Sequence, residues 1–474
     1  MKIVLTTHQF LPEFSSGTEI ITLGIARELH RRGHEVVLFT GSPTTQPLVD
    51  DQRFDEYTFE GMRIIRFRHE LVPMNGQNDI MELEFNSSLF HRFFHHFLSE
   101  YKPDVVHFIH LQRLTASAIN AAHELHIPCF FTATDFWLVC PINLLRLADG
   151  SMCAGPRNAG ANCAKHLVQM TQTRPVVEEV ESKPEGHIAW EIEGARDGWL
   201  KSSDYTRYIL SISARTPFLR NQAQKLQKLF VPSRFMEHVL ASNGIPQDRF
   251  ALLPYGIDVD RITRNVDRGR FENLRIAFTG TISEHKGVHV LVKAFRQLPP
   301  QLPVQLYIYG KLTDFPTYVA ELRTLIGDDS RIHLCGPYDH DRINDVLALT
   351  DVLVCPSMWY ENTPLVIYEA QAAGVPVIAS DSQGMSEIVT PNVNGLLFPL
   401  GDHSALASIL QTLHEDRSLV RRLAEGTVIP LSISQHVDAL EGFYGVPEIT
   451  ELSADPTPDF LPDSIVAANP GHST

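Results

Sequence analysis

The chain is short of positive charge: 40 lysines and arginines stand against 56 aspartates and glutamates, a formal net charge of −16. That deficit excludes the phosphate backbone of nucleic acid as the main ligand, which needs a basic face, although it leaves room for a local basic patch. Long apolar runs are also missing. None approaches the ~20 residues of a membrane span. Cysteine is scarce, six in 474 residues, and a chain this long with so few does not read as a disulfide framework. The expected compartment is the cytosol, where thiols stay reduced. The dinucleotide fingerprint G-x-G-x-x-G is absent, and Lys2-Ile3-Val4-Leu5-Thr6-Thr7 reads as a strand rather than as a leader peptide. What is present, 43% hydrophobic and 20% charged residues, suffices for full cores. The length suggests two or three domains.

Strand-like and helix-like segments alternate along the chain. Residues 2–6, 36–39, 62–67, 104–108 and 128–132 have strand character, with helical periodicity over 18–31 (Ile21, Ile25, Ala26, Leu29) and 115–125. A second such series begins near Arg275: strands at 275–279, 304–309, 351–355 and 376–379, helices at 287–295 and 317–326. Such alternation implies parallel sheets with helices on their faces. The expected fold class is α/β, with two tandem Rossmann-like domains facing a central cleft. The first spans 1–265 with an acidic, poorly periodic and solvated insert at about 174–206, and the second spans 270–430. Residues 447–474 contain no Lys or Arg and several prolines and aspartates, and are expected to be a disordered acidic tail.

The segment 357–370 carries the most chemistry. Glu361 and Glu369 stand eight positions apart with a helix start between them. Asn362 or Thr363 can cap that helix, Pro364 fits its first position, and Gly374 fits its end. The unpaired N–H groups of a helix start bind anions. At a rise of about 1.5 Å per residue, Glu369 lies roughly 7–8 Å along the axis from Pro364. A diphosphate at the tip then leaves a ribose diol beside Glu369, while Glu361 stays near the group beyond the phosphates. An ordinary amphipathic helix with solvated acids would show the same spacing. Lys286, between a strand and a helix, can neutralise a diphosphate leaving group or simply be a solvated helix-start lysine. The loop at Ser15-Ser16-Gly17-Thr18 allows close backbone approach to phosphates, or is a plain strand-to-helix turn.

With these segments in view the chain resembles retaining glycosyltransferases of family 4 over about residues 1–446. The likeness rests on motifs in order: Pro12 through Gly17-Thr18-Glu19, Arg32-Gly33-His34-Glu35-Val36, Pro103-Asp104-Val105-Val106-His107, Val231-Pro232-Ser233, Pro254-Tyr255-Gly256-Ile257-Asp258, Lys286-Gly287, Glu361 to Glu369, and the turn at Asn394-Gly395. The resemblance implies the B-type glycosyltransferase fold. It places a nucleoside-diphosphate sugar in the C-terminal half, most of the acceptor site in the N-terminal half, and a crossover helix within 431–446. It gives Lys286 and Glu361 catalytic positions. It gives Gly17, Lys286, Thr363, Pro364, Leu365 and Glu369 contacts to the donor, and needs no cofactor or metal. The acceptor would be a glycan or a lipid-linked molecule. Two positions depart from the pattern. Thr281 follows Gly280 where similar chains often have arginine, and Thr134 stands where they usually have histidine, beside Asp135. Asp135 itself can bind a sugar hydroxyl or cap a helix. These departures keep open a non-catalytic sugar-nucleotide-binding or scaffold protein. A nucleotide-sugar epimerase on a similar fold is a third reading.

Two further features carry alternatives. Cys140, Cys153, Cys163 and His166 have the residue types of a zinc site, with wide gaps, or are free cysteines. The segment 85–101, with Leu89, Phe90, Phe93, Phe94, Phe97 and Leu98 among basic residues and histidines, either packs on the sheet or brings the protein to a membrane surface.

Overall fold

The structure, a computed structural model, describes residues 1–445 apart from 75 and 148. The expected tail at 447–474 lies outside the described residues. Eight strands form the first sheet: β1 (Lys2–Thr7), β2 (Glu35–Thr44), β3 (Phe54–Phe59), β4 (Met62–Glu70), β5 (Val105–Phe108), β6 (Cys129–Thr132), β7 (Lys228–Val231) and β8 (Phe250–Leu252). Their order is β3-β4-β2-β1-β5-β6-β7-β8. All neighbours are parallel except the β3–β4 hairpin. The second sheet contains β9 (Leu274–Thr279), β10 (Val304–Tyr309), β11 (Ile332–Gly336), β12 (Val352–Cys355), β13 (Val377–Ser380) and β14 (Gly395–Phe398). It is parallel throughout, in the order β11-β10-β9-β12-β13-β14. The short apolar strands β5, β12 and β13 are buried along their whole length, as strands covered by helices on both faces must be.

Each sheet reverses its winding once. β1 pairs with β2 on one side and β5 on the other; β9 does the same with β10 and β12. Loops leaving the C-terminal ends of two such strands diverge and open a crevice. The crevices therefore lie beyond β1 and β5 in the first domain, and beyond β9 and β12 in the second.

The last helix, Ile433–Tyr444, returns to the first sheet. Its Val437, Leu440 and Tyr444 share a core with Ile3, Leu5, Ile25 and Leu38. Arg32 holds its outer side through Asp438 (2.7 Å), Glu441 (2.5 Å) and the Ser434 carbonyl (2.7 Å), and His34 meets Glu441 at 2.6 Å. The Arg32-Gly33-His34 motif thus fastens a helix.

Two expectations about local structure resolve differently. The acidic segment 174–206 is no solvated insert. It contains the helices Arg174–Glu181 and Glu185–Arg196, whose Val176, Val180, Ile188 and Ile192 share a core with Leu167, Tyr205 and Ile209. The acidic residues hid the pattern because only every third or fourth position is apolar. The helix Ser88–Tyr101 buries Leu89 and packs Phe90, Phe94 and Leu98 against Phe39 and Phe67 of the first sheet, which is the packed alternative. Among the described residues no helix is long and apolar enough to cross a membrane.

Candidate active site

The second crevice brings Lys286 and Glu361 together. Lys286 ends a short turn at Glu284–Lys286 after β9, and Glu361 lies in the loop after β12. Lys286 Nζ donates to Glu361 Oε1 at 2.6 Å. Ser357 Oγ and Trp359 Nε1 donate to the same oxygen at 2.6 and 2.8 Å. Glu361 is 5% exposed. Burial pushes its carboxyl up, but the Lys286 ammonium and these hydrogen bonds outweigh burial and hold it below the ordinary range. All three donors converge on Oε1, so Oε2 has no donor among the described residues. Lys286 also lies over the Trp359 ring, 5.2 Å from its centroid. Next to it, burial pushes His285 down to about 4, so the imidazole is neutral at working pH.

Two glycines allow the loops to meet. Gly287 has φ +69°, and a Cβ there would lie 1.8 Å from the Pro356 carbonyl oxygen. A Cβ on Gly384 would lie 1.6 Å from the Glu361 carbonyl oxygen. In the sequence Gly287 stands out only within a motif, and Gly384 carries no signal.

The helix that starts between the acids is Leu365–Ala372, one residue later than expected. Pro364 occupies the position before its first turn, and no side chain caps it. Thr363 Oγ1 instead donates to the Asn362 carbonyl at 2.7 Å, and Asn362 points to the other domain. The tip at Leu365 and Val366 is partly buried, and its first amides have no side-chain acceptor. Glu369 is 4% exposed and accepts from His340 Nε2 at 2.7 Å. Burial lowers the His340 pKa, but the bond to Glu369 wins and raises it. His340, Ser357 and Trp359 were missed as site residues, because a histidine or tryptophan without spacing to a partner carries no signal by itself.

In the first crevice, His8 follows β1 and His110 follows β5, and their rings lie 4.4 Å apart. The Gln112 amide donates to His110 Nδ1 at 3.1 Å, so the ring proton sits on Nε2, which lies 2.7 Å from Asp135 Oδ2. Asp135 Oδ1 accepts from the Trp137 amide at 2.8 Å. Asp135 is therefore a turn-former and a histidine partner at once. Thr134 donates to the Ile109 carbonyl at 3.3 Å. Gly17 begins the helix Gly17–Arg31, and Glu19 reaches back to the Ser16 amide at 2.7 Å. A Cβ on Gly17 would meet no protein atom within 4 Å, so the protein's own packing does not demand glycine there.

Asn362 joins the crevices. Its Nδ2 donates to the Ala133 carbonyl (3.1 Å) and the Tyr255 hydroxyl (2.9 Å), and its Oδ1 accepts from Ser233 (3.2 Å). Tyr255 also donates to the Ala133 carbonyl at 3.0 Å. The Val231-Pro232-Ser233 and Pro254-Tyr255-Gly256 motifs thus supply domain-joining contacts. Arg146 of the first domain reaches Glu284 at 3.2 Å, two residues before Lys286.

Cys140, Cys153, Cys163 and His166 line one small cavity of about 20 Å³. Among the described residues, no group of three or more His, Cys, Asp or Glu is placed to hold a metal ion. Burial pushes the Cys163 thiol up to about 12, with Cys140 and Cys153 adding to the effect.

Two family models match the chain: "Glycosyl transferase 4-like domain" over residues 16–172 and "Glycosyl transferases group 1" over residues 273–416. The chain is 29% identical over 224 residues to the amylovoran biosynthesis glycosyltransferase AmsK of Erwinia amylovora, covering 44% of this chain and 54% of that one. It is 33% identical over 206 residues to the D-inositol 3-phosphate glycosyltransferase of Xylanimonas cellulosilytica, covering 40% and 49%. In these matches the chain spans about half the length of the curated relatives. Among solved structures, Anabaena Alr3699/HepE in complex with UDP and glucose shares the fold. Its TM-score is 0.60 at 16% identity, over 94% of this chain and 99% of that one.

Proposed function

The chain belongs to the family 4 type of B-fold glycosyltransferases, and from that premise we propose that it moves a sugar from a nucleoside-diphosphate sugar to an acceptor hydroxyl with retention of configuration. The observation that carries this reading is the Lys286–Glu361 contact at the mouth of the second crevice, beside the helix tip at Leu365. A diphosphate lying along Thr363, Pro364 and Leu365 receives backbone N–H donors at one end and the Lys286 ammonium at the other. The anomeric C–O bond to the diphosphate breaks and the acceptor oxygen bonds to the same face. The acceptor's proton leaves with the diphosphate. Negative charge grows on the leaving group during this step, and a fixed cation lowers its cost. Glu369, already oriented by His340, accepts the ribose hydroxyls. Glu361 accepts hydroxyls of the donor sugar through Oε2. The UDP complex of the Anabaena relative supports this assignment of the donor class.

Thr281 and Thr134 favour one competing reading, a protein that binds the donor without transferring it. Two features support the transferase reading beside it. Arg146 brings a cation from the opposite domain to the Lys286 turn, and His110 brings an imidazole to Asp135.

The test is turnover of UDP-sugar and other nucleoside-diphosphate sugars with an acceptor panel, the product's anomeric configuration being read by NMR. Glu361→Ala and Lys286→Ala should each lower transfer by orders of magnitude while circular dichroism shows an intact fold. Undiminished turnover in either variant removes that residue from the mechanism. An inverted product refutes retention. Tight donor binding without transfer or hydrolysis leaves the binding-protein reading in place of this one.

A further inference from the structure

A cavity of about 290 Å³ opens in the first domain beside the C-terminal ends of β1 and β2. Such a volume is near the lower end of small-molecule sites, roughly 300–1,000 Å³. Its wall includes Thr40, Gly41, Tyr57, Arg66 and Arg113, with Phe14 on the loop that leads to Gly17. None of these residues was singled out by the sequence reading or used in the proposed transfer step.

The two arginines differ in their surroundings. Arg66 already has counter-ions: it donates to Asp55 at 3.1 Å through Nε, and Glu13 lies 3.5 Å away. The guanidinium of Arg113 makes no hydrogen bond or ion pair among the described residues. It stacks over Phe14, 5.6 Å from the ring centroid. The carboxylate with the strongest influence on it is Glu19, which is occupied by Ser16 and faces His8. Burial makes Arg113 somewhat easier to deprotonate than an ordinary arginine. A half-buried cation without an ion-pair partner carries a desolvation cost that the Phe14 ring and Glu19 only partly offset.

The backbone holds this arrangement deliberately. Arg113 has φ +67°, the left-handed region, which a residue with a Cβ adopts at a cost of about 1–2 kcal/mol. A Cβ on Gly41 would lie 3.0 Å from the Arg113 carbonyl oxygen, so the glycine admits the turn that carries the arginine. Nearby, the Thr40 hydroxyl is buried and has no hydrogen-bond partner. The Tyr57 hydroxyl is spent on the Leu11 carbonyl at 2.7 Å.

We propose that this cavity is an acceptor subsite for a sugar bearing an anionic group, a carboxylate or a phosphate, with Arg113 as its counter-ion. The inference rests on the glycosyltransferase reading and names the acceptor's chemical class. A planar guanidinium pairs two-pronged with either anion, and the Thr40 hydroxyl supplies a further donor. A neutral sugar would leave Arg113 uncompensated. The chain's net charge of −16 repels anions in general, so a local cation is what would select one. Gln9, the chain neighbour of His8, lines the same cavity, which places it beside the His8–His110–Asp135 group of the first crevice.

The test compares glucose, glucuronic acid and glucose 6-phosphate by ligand-observed NMR titration, with UDP bound throughout. The native protein should bind at least one charged sugar ten-fold or more tightly than glucose. The carboxylate and phosphate arms tell which anion is read, and either supports the proposal. Arg113→Asn suits the left-handed backbone while removing the charge, and Arg113→Gln is the second variant. Both should lose the preference and keep the thermal shift produced by UDP. Equal binding of all three sugars, no binding of any, or a preference that survives in both variants overturns the proposal. Failure of every nucleotide to shift the melting temperature would instead overturn the glycosyltransferase reading itself.

Discussion

Acidification from pH 7.5 to 5.5 should loosen the seam between the last helix and the first sheet, through two buried histidines. His107 is wholly buried on β5; its Nδ1 meets the Tyr444 hydroxyl at 2.5 Å and its Nε2 meets Thr132 Oγ1 at 2.8 Å. His436 on the last helix meets the Pro254 carbonyl at 2.9 Å through Nδ1, and its Nε2 has no partner. Burial pushes His107 down to about 3, with His436 adding to the effect, and pushes His436 down to about 4. In the unfolded chain both titrate near the ordinary value of about 6.5. Above that pH neither state is protonated and the pair has no effect. Below it the unfolded chain takes up protons that the folded chain refuses, so stability falls as pH falls through 6.5. Linkage gives about 1.3 kcal/mol per histidine between pH 7.5 and 5.5, or about 2.7 kcal/mol for both. The sum changes little whether the folded value is 3 or 4, since both lie well below 5.5. Urea unfolding at the two pH values measures it, on the native protein and on the His107→Gln, His436→Gln double variant. The remaining histidines are common to both proteins and cancel. The native protein should lose about 2.7 kcal/mol more than the double variant on acidification. Parallel losses would show that these imidazoles charge freely in the folded state, and the reasoning would fail.

Gly384→Ala forces a methyl group into the Glu361 carbonyl. It should lower stability by about 1–3 kcal/mol and abolish the UDP thermal shift, and a variant with native UDP binding would contradict the packing. Glu369→Gln weakens the proposed hold on the ribose. It should raise the donor KM about ten-fold or more with less effect on kcat, since charged hydrogen bonds are worth about 1.5–3 kcal/mol; an unchanged KM would place the ribose elsewhere. Asn362→Ala breaks contacts to Ala133, Tyr255 and Ser233 at the domain junction. It should cost about 1–3 kcal/mol in urea unfolding, and a neutral result would mean the domains are held by other contacts.

The alternation of strands and helices was legible because buried parallel strands are short apolar runs and their covering helices repeat every three to four residues. The same pattern failed at 174–206, where acidic residues cover the outer faces of helices that nevertheless bury Val176, Val180, Ile188 and Ile192. Helix capping at 362–364 was misassigned for a different reason. Asn362 and Thr363 are good local caps, but long-range partners took the Asn362 side chain. Several family motifs were legible as motifs without showing their work. Arg32 and His34 hold the last helix, and Tyr255 and Ser233 hold Asn362. Nothing in their spacing distinguishes such fasteners from ligand-binding residues.

By itself the sequence determined the α/β alternation, the acid–helix–acid segment at 361–369 and the lysine at 286. These are local properties, set by side-chain pattern and by the chemistry of each residue type. The convergence of Lys286 with Glu361, of His340 with Glu369, and of His8 with His110 and Asp135 was decided only by the tertiary structure. Strand order places the loops after β9 and β12, and those after β1 and β5, side by side, and strand order is a long-range property that neighbouring residues do not encode.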